Sequence, residues 1–264
     1  MSLERRNGQG FLKSRFIRLY PLFWVCVLLT YGVLTLNSAI EFSISPLVLL
    51  INLTMLHDFL GVPAVDGVYW SLSYELGFYA FMYAFFRANL QRYIGYIPLI
   101  FLSLGVIYLF ANPYISNALR YLLVFNNFSH LFACGIALYL IHSRGVKWFW
   151  VAVVCATPLL QFAQHGWFSA FCVAGAVGFA VAAVFWRDIN MRILWPLIFL
   201  GKISYALYLC HQMIGYVLLA ALQKIGLGAG VSIIATTAAM IALASVLTFY
   251  IERPAAKRLK ALLG

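Results

Sequence analysis

Long apolar stretches alternate with short basic or polar segments along the whole chain. A helix needs about 20 predominantly apolar residues to cross the hydrocarbon core of a bilayer. The pattern therefore predicts an all-α fold, a polytopic transmembrane helix bundle of about eight spans. The predicted spans are 19–36, 70–86, 93–111, 121–141, 147–163, 168–186, 203–222 and 230–251.

A ninth apolar segment, 44–60, is less suited to crossing because polar groups and a proline interrupt it. These are Pro46, Asn52, His57 and Asp58. If this segment does not cross, every basic residue except Arg120 and Lys224 falls on one side of the membrane. Cytoplasmic loops of membrane proteins carry an excess of Lys and Arg, so the side with these residues is predicted to be cytoplasmic. We predict that 44–60 is an outer interfacial or re-entrant helix, and that both termini are on the cytoplasmic side of the cell (inner) membrane.

Composition supports the bilayer as the solvent of this chain. Of the 264 residues, 64% are hydrophobic and 9% are charged, whereas soluble domains have roughly 45–50% and 25%. The net charge of +11 would indicate nucleic acid in a soluble protein, but here it points to topology and anionic lipid. The five cysteines lie in apolar runs without paired spacing, so neither a disulfide framework nor a metal site is predicted. No linker or repeat divides residues 1–264, which we predict to be a single membrane-embedded domain.

Ionisable groups inside spans are costly and usually functional. Glu75 is the acidic residue placed well inside a predicted span. Ser71, Glu75 and Tyr79 have the spacing i, i+4, i+8, which forms one polar stripe on an apolar helix. The stripe predicts a catalytic carboxyl at Glu75, and the alternative is a buried carboxyl that hydrogen-bonds for packing.

Two histidines also fall within predicted spans. His211 is near the middle of 203–222, with Ser204 and Tyr208 on the same helix face, and this face could line a polar cavity. His130 lies in 121–141, where histidine can equally join helices by hydrogen bonds. We take His211 as a second catalytic candidate and His130 as a candidate for substrate binding, with core histidines as the alternative for both.

Arg15 and Arg18 precede the first span, and guanidinium groups there suit phosphates of a lipid or of a nucleotide-like donor. A topogenic anchor would explain the pair equally well. On the outer side, His57, Asp58 and Asp66 could touch a substrate, although their spacing fits no metal or triad template.

Several segments together resemble the acyltransferase 3 family of membrane O-acyltransferases. The run Tyr69–Tyr79, YWSLSYELGFY, is similar to the family signature WSLSxExxFY. Four further segments match in the same order as in the family, so the resemblance covers nearly the whole chain. They are 11–21, 131–135, 200–211 and 251–254.

The resemblance implies an enzyme that transfers an acyl group, usually acetyl, from cytoplasmic acyl-CoA to a hydroxyl of a cell-surface or lipid-linked glycan. No bound cofactor is implied, since acyl-CoA is a substrate. Arg15 and Arg18 would lie near the donor's phosphates, and Glu75 would lie in the catalytic cavity. His211 and Tyr208 would line that cavity, with Ser71 and Tyr74 as further substrate-binding candidates. The expected partners are membrane lipid, the acyl-CoA donor and the glycan acceptor, and no nucleic acid.

One departure from the family pattern concerns the N-terminus. The family is expected to have two helices before the segment that matches 11–21, and the first carries the expected catalytic histidine. This chain begins ten residues before Phe11, so we expect both helices to be missing and the transfer activity to be impaired. A transporter or flippase of a lipid-linked sugar, or a non-catalytic acyltransferase-like partner, would be the alternative functions.

Overall fold

The all-helical prediction is confirmed. A computed structural model describes residues 8–37, 44–111, 128–185 and 194–263. The structure is 87% helix, and the described residues contain no strand. Its α-helices are α1 Gly8–Leu36, α2 Pro46–Leu53, α3 Trp70–Arg87, α4 Ile97–Ala111, α5 Ser129–Arg144, α6 Trp148–His165, α7 Trp167–Phe185, α8 Trp195–Cys210, α9 Met213–Lys224, α10 Ala229–Val246 and α11 Arg253–Leu263.

Each of the eight predicted spans overlaps a helix, but the count of eight is not confirmed. Residues 121–127 of one predicted span lie outside the described residues. In the described part of the chain, four helical stretches are long and apolar enough to cross a membrane, and a bent pair, α8 with α9, gives up to five. The four are Gln9–Leu36, Gln91–Phe110, Trp167–Phe185 and Ala229–Leu262.

The segment 44–60 does not form a helix of span length. Only the eight residues of α2 are α-helical, about 12 Å at the usual rise per residue. Ser45 caps α2, because its Oγ accepts a hydrogen bond from the backbone N–H of Val48 at 3.3 Å. The segment then turns and ends in a short 3-10 helix, Asp58–Leu60. Its depth in a membrane remains a prediction.

The predicted continuous span 203–222 is wrong in one respect, because the helix breaks within it. The axes of α8 and α9 differ by 78° at the break between Cys210 and Met213. His211 therefore sits at a helix end and not in the middle of an uninterrupted span. The local sequence has apolar residues on both sides of the break, so hydropathy does not detect it.

The chain divides into two compact units, and α3 passes from one to the other. We call Ala80–Asn190 the middle unit, and Arg6–Tyr79 with Met191–Gly264 the site unit. The prediction of a single domain 1–264 remains a prediction.

In the middle unit, α4, α5, α6 and α7 pack together through close and polar contacts. Gly105 permits a close approach, because a Cβ there would lie 2.8 Å from Leu160 Cδ2 and 2.9 Å from Ser129 Oγ. The indole Nε1–H of Trp150 donates to the carbonyl of Gly95 at 3.0 Å, which anchors α6 to the turn before α4.

In the site unit, α1 packs against α2, α8, α9 and α11. Trp24 Nε1–H donates to the carbonyl of Leu53 at 2.9 Å, and the Tyr20 hydroxyl donates to that of Thr54 at 3.1 Å. These two bonds satisfy carbonyls at the C-terminal end of α2, which would otherwise lack helical partners. The Tyr205 hydroxyl donates to the carbonyl of Leu19 at 3.0 Å and joins α8 to α1. Thus α1 is fixed to α2 and to α8, and α8 carries part of the candidate site described next.

Candidate functional site

One end of the candidate site is a cluster of a carboxylate, a phenol and a guanidinium. The hydroxyl of Tyr79 donates a hydrogen bond to Glu75 Oε1, one turn earlier on α3. Arg15 from α1 lies over the same phenol, with its Cζ 5.3 Å from the Tyr79 ring centroid and 5.4 Å from that of Phe11. The guanidinium also interacts with the Tyr79 hydroxyl. The cluster therefore brings a positive and a negative side chain to one phenol.

A second group of hydroxyls lies near the start of α3, about one turn before Glu75 and two turns before Tyr79. The Tyr208 hydroxyl of α8 is 2.5 Å from Ser71 Oγ and donates to the backbone carbonyl of Val68 at 2.5 Å. Tyr208 is also within electrostatic range of Glu75 and of Asp66. The predicted stripe on α3 therefore meets the predicted stripe on α8. The spacing in the sequence predicted a polar face on each of these two helices, but not that the two faces meet.

His211 lies at the C-terminal end of α8, where the helix breaks. Its ring Nδ1 is 2.9 Å from the backbone carbonyl oxygen of Tyr208. A carbonyl can only accept, so Nδ1 carries the proton and, in the neutral ring, Nε2 carries the lone pair. The side chain is exposed, and its ring centroid is 6.0 Å from that of Tyr208. The geometry gives His211 the tautomer that a general base with Nε2 would need.

The remaining predicted residues fall in different settings. Arg18 is exposed and interacts electrostatically with Glu252 near the start of α11. Tyr74 is half-buried, and its ring forms an edge contact with Trp70 at 5.7 Å. Arg15, Ser71, Glu75, Tyr208 and His211 all belong to the site unit.

His130 belongs to the middle unit, where it is fully buried. Its Nε2–H donates to Gln161 Oε1 at 2.6 Å, and the Gln161 amide donates in turn to Ser169 Oγ at 2.6 Å. These bonds join α5, α6 and α7, which is the helix-joining role that the sequence left open. The contacts of His130 favour packing over substrate binding.

The loop before α3 contains three titratable side chains with contrasting environments. Burial raises the pKa of the Asp66 carboxyl, while backbone N–H groups and the charge of His211 lower it. His57 is fully buried, and burial lowers the pKa of its imidazole against the opposing effect of Asp58, 3.7 Å away. Asp58 also accepts a 2.8 Å hydrogen bond from Ser73. Asp66 is only 1% exposed, and contact of this residue with a substrate remains a prediction.

Comparison with known proteins adds the chemistry of a family to this geometry. The sequence profile of the acyltransferase domain of the acyltransferase 3 family matches residues 1–251 of the 264. The chain belongs to this family. The predicted resemblance is confirmed, and a general role as a membrane acyltransferase follows. The chain has no significant match among curated proteins or among solved structures.

For this acyltransferase family member, sequence reasoning missed the structural role of Asp66. A local signal existed, because aspartate just before a helical turn is a favoured N-cap. Asp66 does cap the short 3-10 helix Gly67–Tyr69, which leads directly into α3. Its second hydrogen bond, to α9, had no signal in the sequence.

Proposed function

We propose that this protein transfers an acyl group, most readily acetyl, from cytoplasmic acyl-CoA to a hydroxyl of a cell-surface or lipid-linked glycan. The acceptor oxygen forms an ester bond with the acyl carbon, and the bond from that carbon to the CoA sulfur breaks. The proton of the acceptor hydroxyl is taken up by a base and returned to the departing thiolate. The products are an acylated glycan and free CoA, so atoms and charge balance.

The observation that carries this proposal is the state of His211. Its Nδ1 is engaged by the Tyr208 carbonyl at 2.9 Å, which leaves Nε2 to accept the proton of the acceptor hydroxyl. General-base catalysis by a positioned histidine contributes about 10²–10⁴-fold to a rate. In this proposal His211, and not the histidine that the family pattern places before the segment 11–21, is the base and then the acid that protonates the leaving thiolate.

The Glu75 cluster supports binding and charge placement in the same reaction. Arg15 carries a fixed positive charge beside Tyr79, and a guanidinium suits the phosphates of CoA. Arg18, one turn along α1 and exposed, would bind the same donor. Glu75 accepts the Tyr79 hydrogen bond and orients the phenol. Ser71, Tyr74 and Tyr208 would contact the substrates.

The membrane topology belongs to the same proposal. We propose eight crossing segments in the cell (inner) membrane, with both termini in the cytoplasm. The support is the distribution of basic residues, of which only Arg120 and Lys224 would face outward. A cysteine placed at Asn89, between α3 and α4, should be protected from an impermeant thiol reagent added outside. Ready labelling there would mean that this loop faces outward, contrary to the proposed topology.

The test of the function uses the purified chain in liposomes with radiolabelled acetyl-CoA and a membrane glycan fraction. We expect label in the glycan, with His211→Gln lowering kcat by about 10²–10⁴-fold. Glu75→Gln should lower transfer by about 10²-fold without loss of membrane expression. His142→Gln is the matched control, because His142 is exposed near the end of α5. Because impaired transfer is expected, label is counted against liposomes without protein. No label above that background, or full transfer by His211→Gln, would refute the proposal.

One observation favours a transporter of a lipid-linked sugar as the second candidate. Broken helices with polar groups at the break line the substrate sites of many transporters, and α8 and α9 form such a break. Transporters typically have a second broken helix at the matching position, and the described residues contain one bent pair. Glycan that crosses the liposome membrane without gaining label would support this candidate.

A further inference from the structure

The break between α8 and α9 creates an unusual requirement for hydrogen bonds. A new helix starts at Met213, and the first four N–H groups of any helix lack partners within it. In a membrane-embedded bundle water cannot serve freely, so such groups must be satisfied by the protein. Gln212, at the N-cap position, makes no side-chain cap hydrogen bond.

Asp66, 147 positions earlier in the chain, supplies the missing acceptor. Its Oδ2 accepts a hydrogen bond from the backbone N–H of Met213 at 3.3 Å. Its Oδ1 accepts one from the backbone N–H of Val68 at 3.2 Å. One buried carboxylate thus caps the start of α9 and the turn that leads into α3. A negative charge at a helix N-terminus is favourable.

Further contacts fit the same junction together. A Cβ at Gly67 would lie 3.0 Å from Nε2 of the Gln212 side chain, so residue 67 lies against the amide group of Gln212 at the helix break. The Tyr208 hydroxyl donates to the carbonyl of Val68 on the other side of the break. The loop 66–68 is therefore attached both to the last turn of α8 and to the first turn of α9.

His211 lies between these two attachment points. Its ring is oriented by Tyr208, and the charge of Asp66 acts on it electrostatically. The backbone N–H of His211 already donates to the Leu207 carbonyl at 3.0 Å and so belongs to the helical hydrogen bonding of α8. If the cap on Met213 were lost, this hydrogen bonding could extend through residue 212, since nothing in the local sequence terminates a helix. The break would then straighten, and the surroundings of the imidazole would change.

We propose that Asp66 is a positioning residue for the acyl transfer, which fixes His211 by capping α9 across the helix break. This inference rests on the proposed function, because it concerns the orientation of the proposed base. In this proposal Asp66 acts through His211 and not on the reacting atoms. Its charge also interacts electrostatically with the imidazole, which gains a positive charge when it takes the acceptor's proton.

The test compares Asp66→Asn and Gly67→Ala with Ser232→Ala. Asp66→Asn keeps the size of the side chain but loses one of two acceptors, and Gly67→Ala disturbs the same junction without changing charge. Ser232→Ala removes a buried hydrogen bond to the carbonyl of Leu227, near the start of α10 in the same unit, and it controls for a general loss of stability. Steady-state transfer and hydrogen exchange of peptide 211–216 are measured on all three.

We expect kcat to fall by at least about tenfold in Asp66→Asn and in Gly67→Ala, with KM for acyl-CoA within about twofold, since positioning acts on the chemical step. Exchange of peptide 211–216 should accelerate in both variants and stay unchanged in Ser232→Ala. Unchanged kcat in Asp66→Asn, while the unmodified chain transfers label, would overturn the inference and leave the proposed function intact. Unchanged exchange would overturn the cap itself. A chain without transfer activity would overturn the proposed function, and the exchange data would then still decide whether Asp66 holds the break.

Discussion

Tyr208 is the residue at which the two stripes of the candidate site meet, so its hydroxyl offers a direct test of the junction. Tyr208→Phe removes both hydrogen bonds of the hydroxyl, to Ser71 Oγ and to the Val68 carbonyl. A hydrogen bond contributes about 0.5–1.5 kcal/mol net to stability. We expect the free energy of unfolding to fall by about 1–3 kcal/mol.

A double-mutant cycle separates the two bonds. Ser71→Ala removes only the bond to Tyr208 and should lower the free energy of unfolding by about 0.5–1.5 kcal/mol. The double variant has lost the same two bonds as Tyr208→Phe alone. Its loss should therefore be smaller than the sum of the single losses by about 0.5–1.5 kcal/mol, the contribution of the shared bond.

The assay is equilibrium unfolding in mixed detergent micelles, followed by tryptophan fluorescence and far-ultraviolet circular dichroism. Tyr216→Phe is the matched control, since Tyr216 lies on α9 with 58% of its surface exposed. It should leave the free energy of unfolding within about 0.5 kcal/mol of the unmodified chain. If the losses of the two single variants add up to the loss of the double variant within about 0.3 kcal/mol, Ser71 and Tyr208 do not interact. That result would refute the meeting of α3 and α8 in the candidate site.

Two further predictions concern stability. Gly105→Ala should lower the free energy of unfolding by about 1–2 kcal/mol, because the new methyl would lie under 3 Å from Leu160 and Ser129. The control is Gly135→Ala, where a new methyl has nothing within 4 Å, and it should be neutral or stabilising in the same detergent-unfolding assay. Equal losses in the two variants would contradict the close packing at Gly105. Burial lowers the pKa of the His57 imidazole below its ordinary value of 6.5. The contribution of the neutral imidazole to stability is therefore present above pH 6.5 and is lost as the pH falls below 6.5. Replacing it by glutamine should make the melting temperature less sensitive to acid, and an unchanged acid sensitivity would exclude this histidine as the cause.

The sequence predicted the helices better than it predicted their ends. The first span was expected to begin at residue 19, but α1 begins at Gly8. Hydropathy reports where side chains prefer lipid to water, whereas a helix ends where its hydrogen-bond ladder ends. Lys13, Arg15 and Arg18 are therefore helical, and this brings Arg15 onto the same helix as Tyr20 and Trp24.

The candidate site was predictable where its geometry is local. Glu75 and Tyr79 are one turn apart on α3 and do interact, as helical periodicity requires. The difference between Arg15 and Arg18 was not predictable, because both precede the same span. Only the packing of α1 against α3 places Arg15 over the Tyr79 ring and leaves Arg18 exposed.

The helix break shows why the remaining geometry lies beyond sequence periodicity. Between Cys210 and Met213 there is no glycine or proline, so no local residue ends α8. The acceptor that starts α9 comes from Asp66, far away in sequence, and a periodicity argument cannot see a partner at that distance. The residues that match the family signature begin at Trp70, four residues after Asp66. A single buried carboxylate therefore connects the turn that leads into the signature helix to α9, which begins two residues after the proposed base. Through this connection, in our proposal, a residue outside the conspicuous polar stripes acts on the chemistry within them.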